Sequence, residues 1–147
     1  MRIALGILIA LHGIAHVVGF VVPWQLMTPD AAGYSTTILG GRIDLGSGGI
    51  HVLGLVWLAL AVGFVLAALG SWLGFGGWVR AAAVLAIVSL ALSALGWPEA
   101  KIGVPVNLAI LAALYVGTRL DWLSSGSSPL QRRAGGGPGE PSGIRGA

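Results

Sequence analysis

The sequence predicts an all-α fold: a four-helix transmembrane bundle, N-in/C-in, with a disordered C-terminal tail. Three observations carry this reading. Hydrophobic residues make up 56% of the 147-residue chain and charged residues only 9%, against about 25% charged in an ordinary soluble domain. Four apolar stretches approach the roughly 20 residues needed to cross the hydrocarbon core. Lysine and arginine are also divided unevenly between the two ends of those stretches.

The first helix is expected over about residues 3–22, closed by Pro23-Trp24. Arg2 ahead of an apolar run is also a signal-peptide feature, but this run has spanning length and further apolar runs follow. Residues 24–43 form an outer loop long enough to fold over the helices. The second helix is expected over about 48–69, followed by a short inner link at 70–77. The third covers about 78–95 and is closed by Gly96-Trp97-Pro98. A short outer link, 96–103, leads into the fourth helix at about 103–120. Residues 1–123 thus make one transmembrane domain. Residues 124–147 are dominated by Gly, Ser and Pro and have no apolar face, so a disordered cytoplasmic tail is expected.

Charge sets the threading. With the N-terminus inside, Arg2, Arg80, Arg119, Arg132, Arg133 and Arg145 are cytoplasmic, and only Arg42 and Lys101 lie outside. The positive-inside rule therefore predicts a multi-pass cell-membrane protein with both termini cytoplasmic. Trp24, Trp72, Trp78, Trp97 and Trp122 fall near helix ends, where an amphipathic ring prefers the membrane interface. In lipid, helices associate through small residues that let backbones approach. Ala82, Ala86, Ser89, Ser93 and Gly96 recur as one stripe of the third helix and predict such a seam. Gly6-Ala10 and Ala15-Gly19 are small-xxx-small pairs in the first.

Several functions are excluded by what the chain lacks. There is no cysteine, hence no disulfide, thiolate metal site or thiol catalysis. The basic residues are scattered at helix ends, so no nucleic-acid partner is expected. The Leu-Gly-Gly-Arg and Gly-Ser-Gly-Gly stretches lack the Lys-Ser/Thr end of a phosphate-binding loop.

What the chain does carry is a polar set inside its apolar helices. His12 and His16 are four apart and share a helix face, about 6 Å apart along the axis. His51 lies near the outer start of the second helix, with Asp44 just above it. Asn107 lies about one turn into the fourth helix, and Glu99 and Lys101 cap the same end. His12, His16, His51, Asp44, Glu99, Lys101 and Asn107 thus converge on the outer half as a candidate polar pocket. Ionisable groups within a membrane are costly and face the interior or a cavity. Three imidazoles suit a metal ion, with His12, His16 and His51 as ligands. Haem held by His51 with His12 or His16 is a second option, and a proton-linked or quinone-type pocket a third. The bland alternative is that each polar group is satisfied by a neighbour and Asp44 only caps its helix.

The stretch Leu-His-Gly-Ile-Ala-His-Val-Val-Gly-Phe, residues 11–20, resembles a His-Gly-x-x-His-x-x-Gly-Phe signature of the first helix in small, uncharacterised bacterial four-helix membrane proteins. Residues 96–111 are similar to their Trp-x-Asp-Ala-Lys-x-Gly…Asn segment, with Glu99 at the acid, then Lys101, Gly103 and Asn107. The resemblance spans about residues 2–118. It implies no activity, but it treats His12, His16, Glu99, Lys101 and Asn107 as one set. A weaker similarity, in helix count and a Gly-rich first helix, is to DoxX-like membrane proteins, a group linked with quinone-dependent redox chemistry. The function expected is a small binding or redox module with an outward-facing pocket. The rivals are a structural or accessory subunit without a ligand and an oligomeric small transporter. The expected partners are the lipid bilayer and either further copies of the chain or another membrane protein.

Overall fold

A computed structural model describes residues 2–27 and 34–123. The expected disordered tail, 124–147, lies outside the described residues. The chain folds as α1 (Arg2–Ala15), α2 (Val18–Val21), a short hairpin of β1 (Thr37–Ile38) and β2 (Ile43–Asp44), then α3 (Gly46–Leu73), α4 (Trp78–Leu95) and α5 (Gly103–Arg119). Among the described residues three apolar stretches are long enough to cross a membrane: Arg2–Val21, Gly46–Leu73 and Trp78–Leu95. α5 is a shorter apolar helix.

The first expected helix is one apolar run with an interruption at His16 and Val17. The Nδ1–H of His16 donates to the His12 carbonyl at 2.7 Å, the oxygen that the His16 amide would take in an α-helix. The amide turns instead to Gly13 O at 3.1 Å, and that of Val17 to Ile14 O at 3.0 Å. These are i→i−3 bonds of a tightened turn. A side chain has outcompeted the backbone for its own helix acceptor.

α3 runs longer than expected at both ends. It is apolar all round, as a helix contacted on several sides can be, and nothing breaks it before Gly74. That residue takes φ 75° and closes the helix with its N–H on Gly70 O. At the other end the Asp44 carboxylate accepts the Gly46 N–H at 2.9 Å. Hydrogen bonds from Thr36 and from Gly46 hold the Asp44 carboxyl below its ordinary range.

The hairpin is absent from the sequence expectation, which left residues 24–43 as loop. Thr37 pairs with Asp44 and Ile38 with Ile43, antiparallel. Leu39, Gly40 and Gly41 turn the chain with φ between 53° and 85°, a region that suits glycine. The tip is fastened to the end of α4: Leu39 N–H donates to Leu95 O at 2.9 Å and Gly40 N–H to Trp97 O at 2.8 Å.

α3 packs on α1, α2 and α4, α4 on α5, and α5 touches α1. Ile9, Phe64, Ala68, Ala82, Ala86 and Ile110 are fully enclosed at the centre. Ala82, Ala86, Ser89 and Ser93 are buried along one side of α4, the side their spacing selects. Close approach to α3 recurs along this run, at both glycines of the predicted pairs and at Gly13 between them. A Cβ on Gly6 would collide with Trp72 and Ser71, one on Gly19 would lie 2.6 Å from Trp57 Cγ, and one on Gly13 would lie 2.7 Å from Phe64 Cβ and 3.0 Å from the Ala61 carbonyl.

This packing yields a direct test. Ala86→Leu should cost about 1–3 kcal/mol through overpacking, whereas Val84→Leu, at an exposed position of the same helix, should be neutral. Thermal unfolding in detergent measures both, and equal stability of the two variants would place the α4 stripe outside the core.

Candidate ligand pocket

Four side chains from α1, α4 and α5, with the turn after α1, meet in a closed polar circuit. His12 Nε2 is 3.0 Å from Asn107 Oδ1. Asn107 Nδ2 donates to Ser89 Oγ at 2.8 Å and to the Gly103 carbonyl at 2.8 Å. Ser89 Oγ is 2.7 Å from His16 Nε2, and His16 Nδ1 closes the loop on the His12 carbonyl. All four residues are buried.

The direction of every bond in this circuit is fixed. A carbonyl can only accept, so His16 carries its proton on Nδ1 and, as a neutral ring, presents Nε2 as an acceptor. The Ser89 hydroxyl must donate to it. Asn107 turns its amide nitrogen to Gly103 O and Ser89, which leaves Oδ1 for His12. His12 therefore donates from Nε2 and keeps Nδ1 as an acceptor. Donors and acceptors match at each step with both histidines uncharged. The rings also pack tightly: His12 and His16 lie 4.5 Å apart, edge to face, with Phe64 5.1 Å from His12 and Trp57 5.0 Å from His16.

Above this circuit is a cavity of about 420 Å³, within the range of small-molecule sites. His12, His16 and Ser93 line it, together with Trp57 and apolar residues of α1, α2, α3 and α5. Ser35, Thr37 and Ile38 of the hairpin line it as well, and so does Glu99 of the α4–α5 link. The hydroxyl of buried Ser93 has no hydrogen-bond partner among the described residues. It lies where α5 crosses α4, so close that a Cβ on Gly103 would collide with Ser93 Oγ.

Of the seven expected pocket residues, the structure brings together His12, His16 and Asn107, with Glu99 exposed at the mouth. His51 is not among them. Its ring packs on Trp24 at 5.1 Å, and Trp24 Nε1 donates to its carbonyl at 3.2 Å. Asp44 is spent on the start of α3, and Lys101 is exposed and outside the lining. The His12, His16 and His51 metal site is therefore corrected: among the described residues no group of three His, Asp or Glu side chains could hold a metal ion. Haem ligation pairing His51 with His12 or His16 fails on the same placement. The depth of His51 was inferable from its distance to the helix start, but its direction around the axis was not. Ser89, Ser93 and Trp57 were missed as site residues. The serines are visible in the α4 stripe, which their spacing marks first as a packing seam.

The circuit predicts strong coupling. Ser89→Ala strands His16 Nε2 and one amide proton of Asn107, and should cost about 1–3 kcal/mol. Combined with His16→Phe it should cost clearly less than the sum of the two single changes. A double-mutant cycle by unfolding in detergent measures this, and strict additivity would contradict the circuit. No protein-family profile, curated protein or solved structure matches the chain, so the pocket's own geometry is what bears on function.

Proposed function

We propose that this chain is a four-helix transmembrane bundle with both termini cytoplasmic, and that its outer end binds a small amphipathic molecule. The cavity is the observation that carries the binding role. It has apolar walls, a polar floor of His12 and His16, and a roof formed by the hairpin. Pockets of this make-up, mostly apolar with a few directed polar groups, are the usual form of ligand sites. The membrane reading is supported by three helices of spanning length. It is also supported by an apolar exterior on which Ile3, Leu11, Val52 and Leu66 are more than half exposed. The N-in/C-in threading rests on the distribution of arginine. In that orientation the hairpin and the 96–103 link, which shape the pocket mouth, are both outside.

Binding is favoured over metal or haem redox chemistry because three of the four ring nitrogens of His12 and His16 are engaged, by Asn107, Ser89 and the His12 carbonyl, which leaves one imidazole nitrogen of the pair as a ligand. A second reading, an accessory subunit without a ligand, draws support from the circuit being satisfied within the protein. The two readings differ in what accompanies the purified chain. Solvent extraction of protein from detergent should release one dominant amphipathic small molecule, near one per chain. Ala15→Phe, which fills the cavity from its α1 wall, should release none. Equal yields from the two would favour the accessory role.

The threading is tested separately. Reporter fusions after Leu123 should report the cytoplasm and fusions at Gly33 the outside. The reverse pattern would overturn the N-in assignment and put the pocket at the cytoplasmic end.

A further inference from the structure

The hydrogen-bond circuit restricts what the pocket can hold. Both of its ends are fixed by backbone carbonyls, Gly103 O beside Asn107 and His12 O beside His16. His12 is thereby set as the Nε2–H form, and its Nδ1 is an acceptor with no partner among the described residues. Ser93, one turn along α4 from Ser89, has the complementary need. Its hydroxyl is buried, on the wall of the same cavity and without a partner among the described residues. One group wants a proton donor, and the other can donate or accept.

Charge narrows the choice further. Among the described residues Glu99 is the one charged side chain in the lining, and it is exposed. Among the described residues no arginine or lysine lines the cavity, so an anionic head at the floor would be buried without a counter-ion from them. A cationic head would be drawn to Glu99 and away from the floor, since an unpaired charge among Val18, Leu53, Trp57 and Val106 would be strongly disfavoured. A neutral head that donates one hydrogen bond and accepts another fits both vacancies. The walls demand an apolar body behind it.

From this we infer that the pocket takes an uncharged amphipathic molecule headed by a hydroxyl, with the hydroxyl donating to Nδ1 of His12 and facing Ser93. The inference rests on the binding role proposed above and specifies the ligand class for that site.

The test uses the full chain in lipid nanodiscs and four probes of one body: 4-hexylphenol, its methyl ether, 4-hexylbenzoate and 4-hexylbenzylamine. Affinity is read by tryptophan fluorescence, since Trp57 lines the cavity. The phenol should bind about tenfold or more tighter than the ether, which lacks the donor and would leave Nδ1 unpaired. The benzoate and the amine should bind no tighter than the ether. Ala15→Phe and Ala100→Leu, which narrow the cavity without touching the circuit, should each weaken the phenol. Equal binding of phenol and ether, weakened by the narrowed variants, would leave the pocket standing and overturn the hydroxyl assignment. A preference for benzoate or amine would overturn the uncharged head. If no probe binds, or if both narrowed variants bind all four unchanged, the pocket itself is not a binding site and the inference falls with it.

Discussion

The His12 carbonyl oxygen is the point on which this structure turns. In a regular helix it would accept the His16 amide, but here it accepts the His16 ring instead. That exchange tightens the chain between α1 and α2 and fixes which nitrogen of His16 holds the proton. Through Ser89 and Asn107 the consequence passes to a second histidine without any group being charged. One backbone acceptor thus determines a local tightened turn, two tautomers and the polarity of a cavity floor.

The circuit exists only because the helices come close. Ser and Asn side chains are short, so α1, α4 and α5 must approach to within a few ångströms for His12, Asn107 and Ser89 to join. Ala82 and Ala86 provide that closeness along α4, and Gly103 where α5 crosses Ser93. Gly13 does the same for α1 against α3. Packing and polarity therefore constrain each other. Larger residues in the seams would separate the partners, and a missing partner would leave a buried polar atom unsatisfied.

Much of this was legible in the sequence, for identifiable reasons. Gly77 and Gly96-Trp97-Pro98 punctuate α4, so its bounds of 78–95 coincide with the expectation. The grouping of His12, His16 and Asn107 followed from depth and helical phase. The tightened turn at His16 did not, because it depends on a ring meeting a carbonyl within its own helix, which periodicity does not register. His51 shows the complementary failure. It follows buried Ile50 on α3, and a step of about 100° around the axis carries it away from the cavity and onto Trp24. The hairpin was hidden in Thr36-Thr37-Ile38 and Arg42-Ile43-Asp44, β-prone runs either side of a Gly-Gly turn that are too short to stand out from a loop.

The hairpin has a consequence for how this protein can change over time. Its tip is held to α4 by backbone amides on backbone carbonyls, at Leu95 and Trp97, and no side chain takes part in those two bonds. Substitution along residues 34–43 therefore leaves the attachment intact as long as Gly40 and Gly41 keep the turn. The side chains that the hairpin turns toward the cavity can then vary almost independently of the fold. Related chains could share one circuit of His12, His16, Ser89 and Asn107 and still differ in the shape of molecule they admit, with selectivity drifting at the roof while the floor stays fixed.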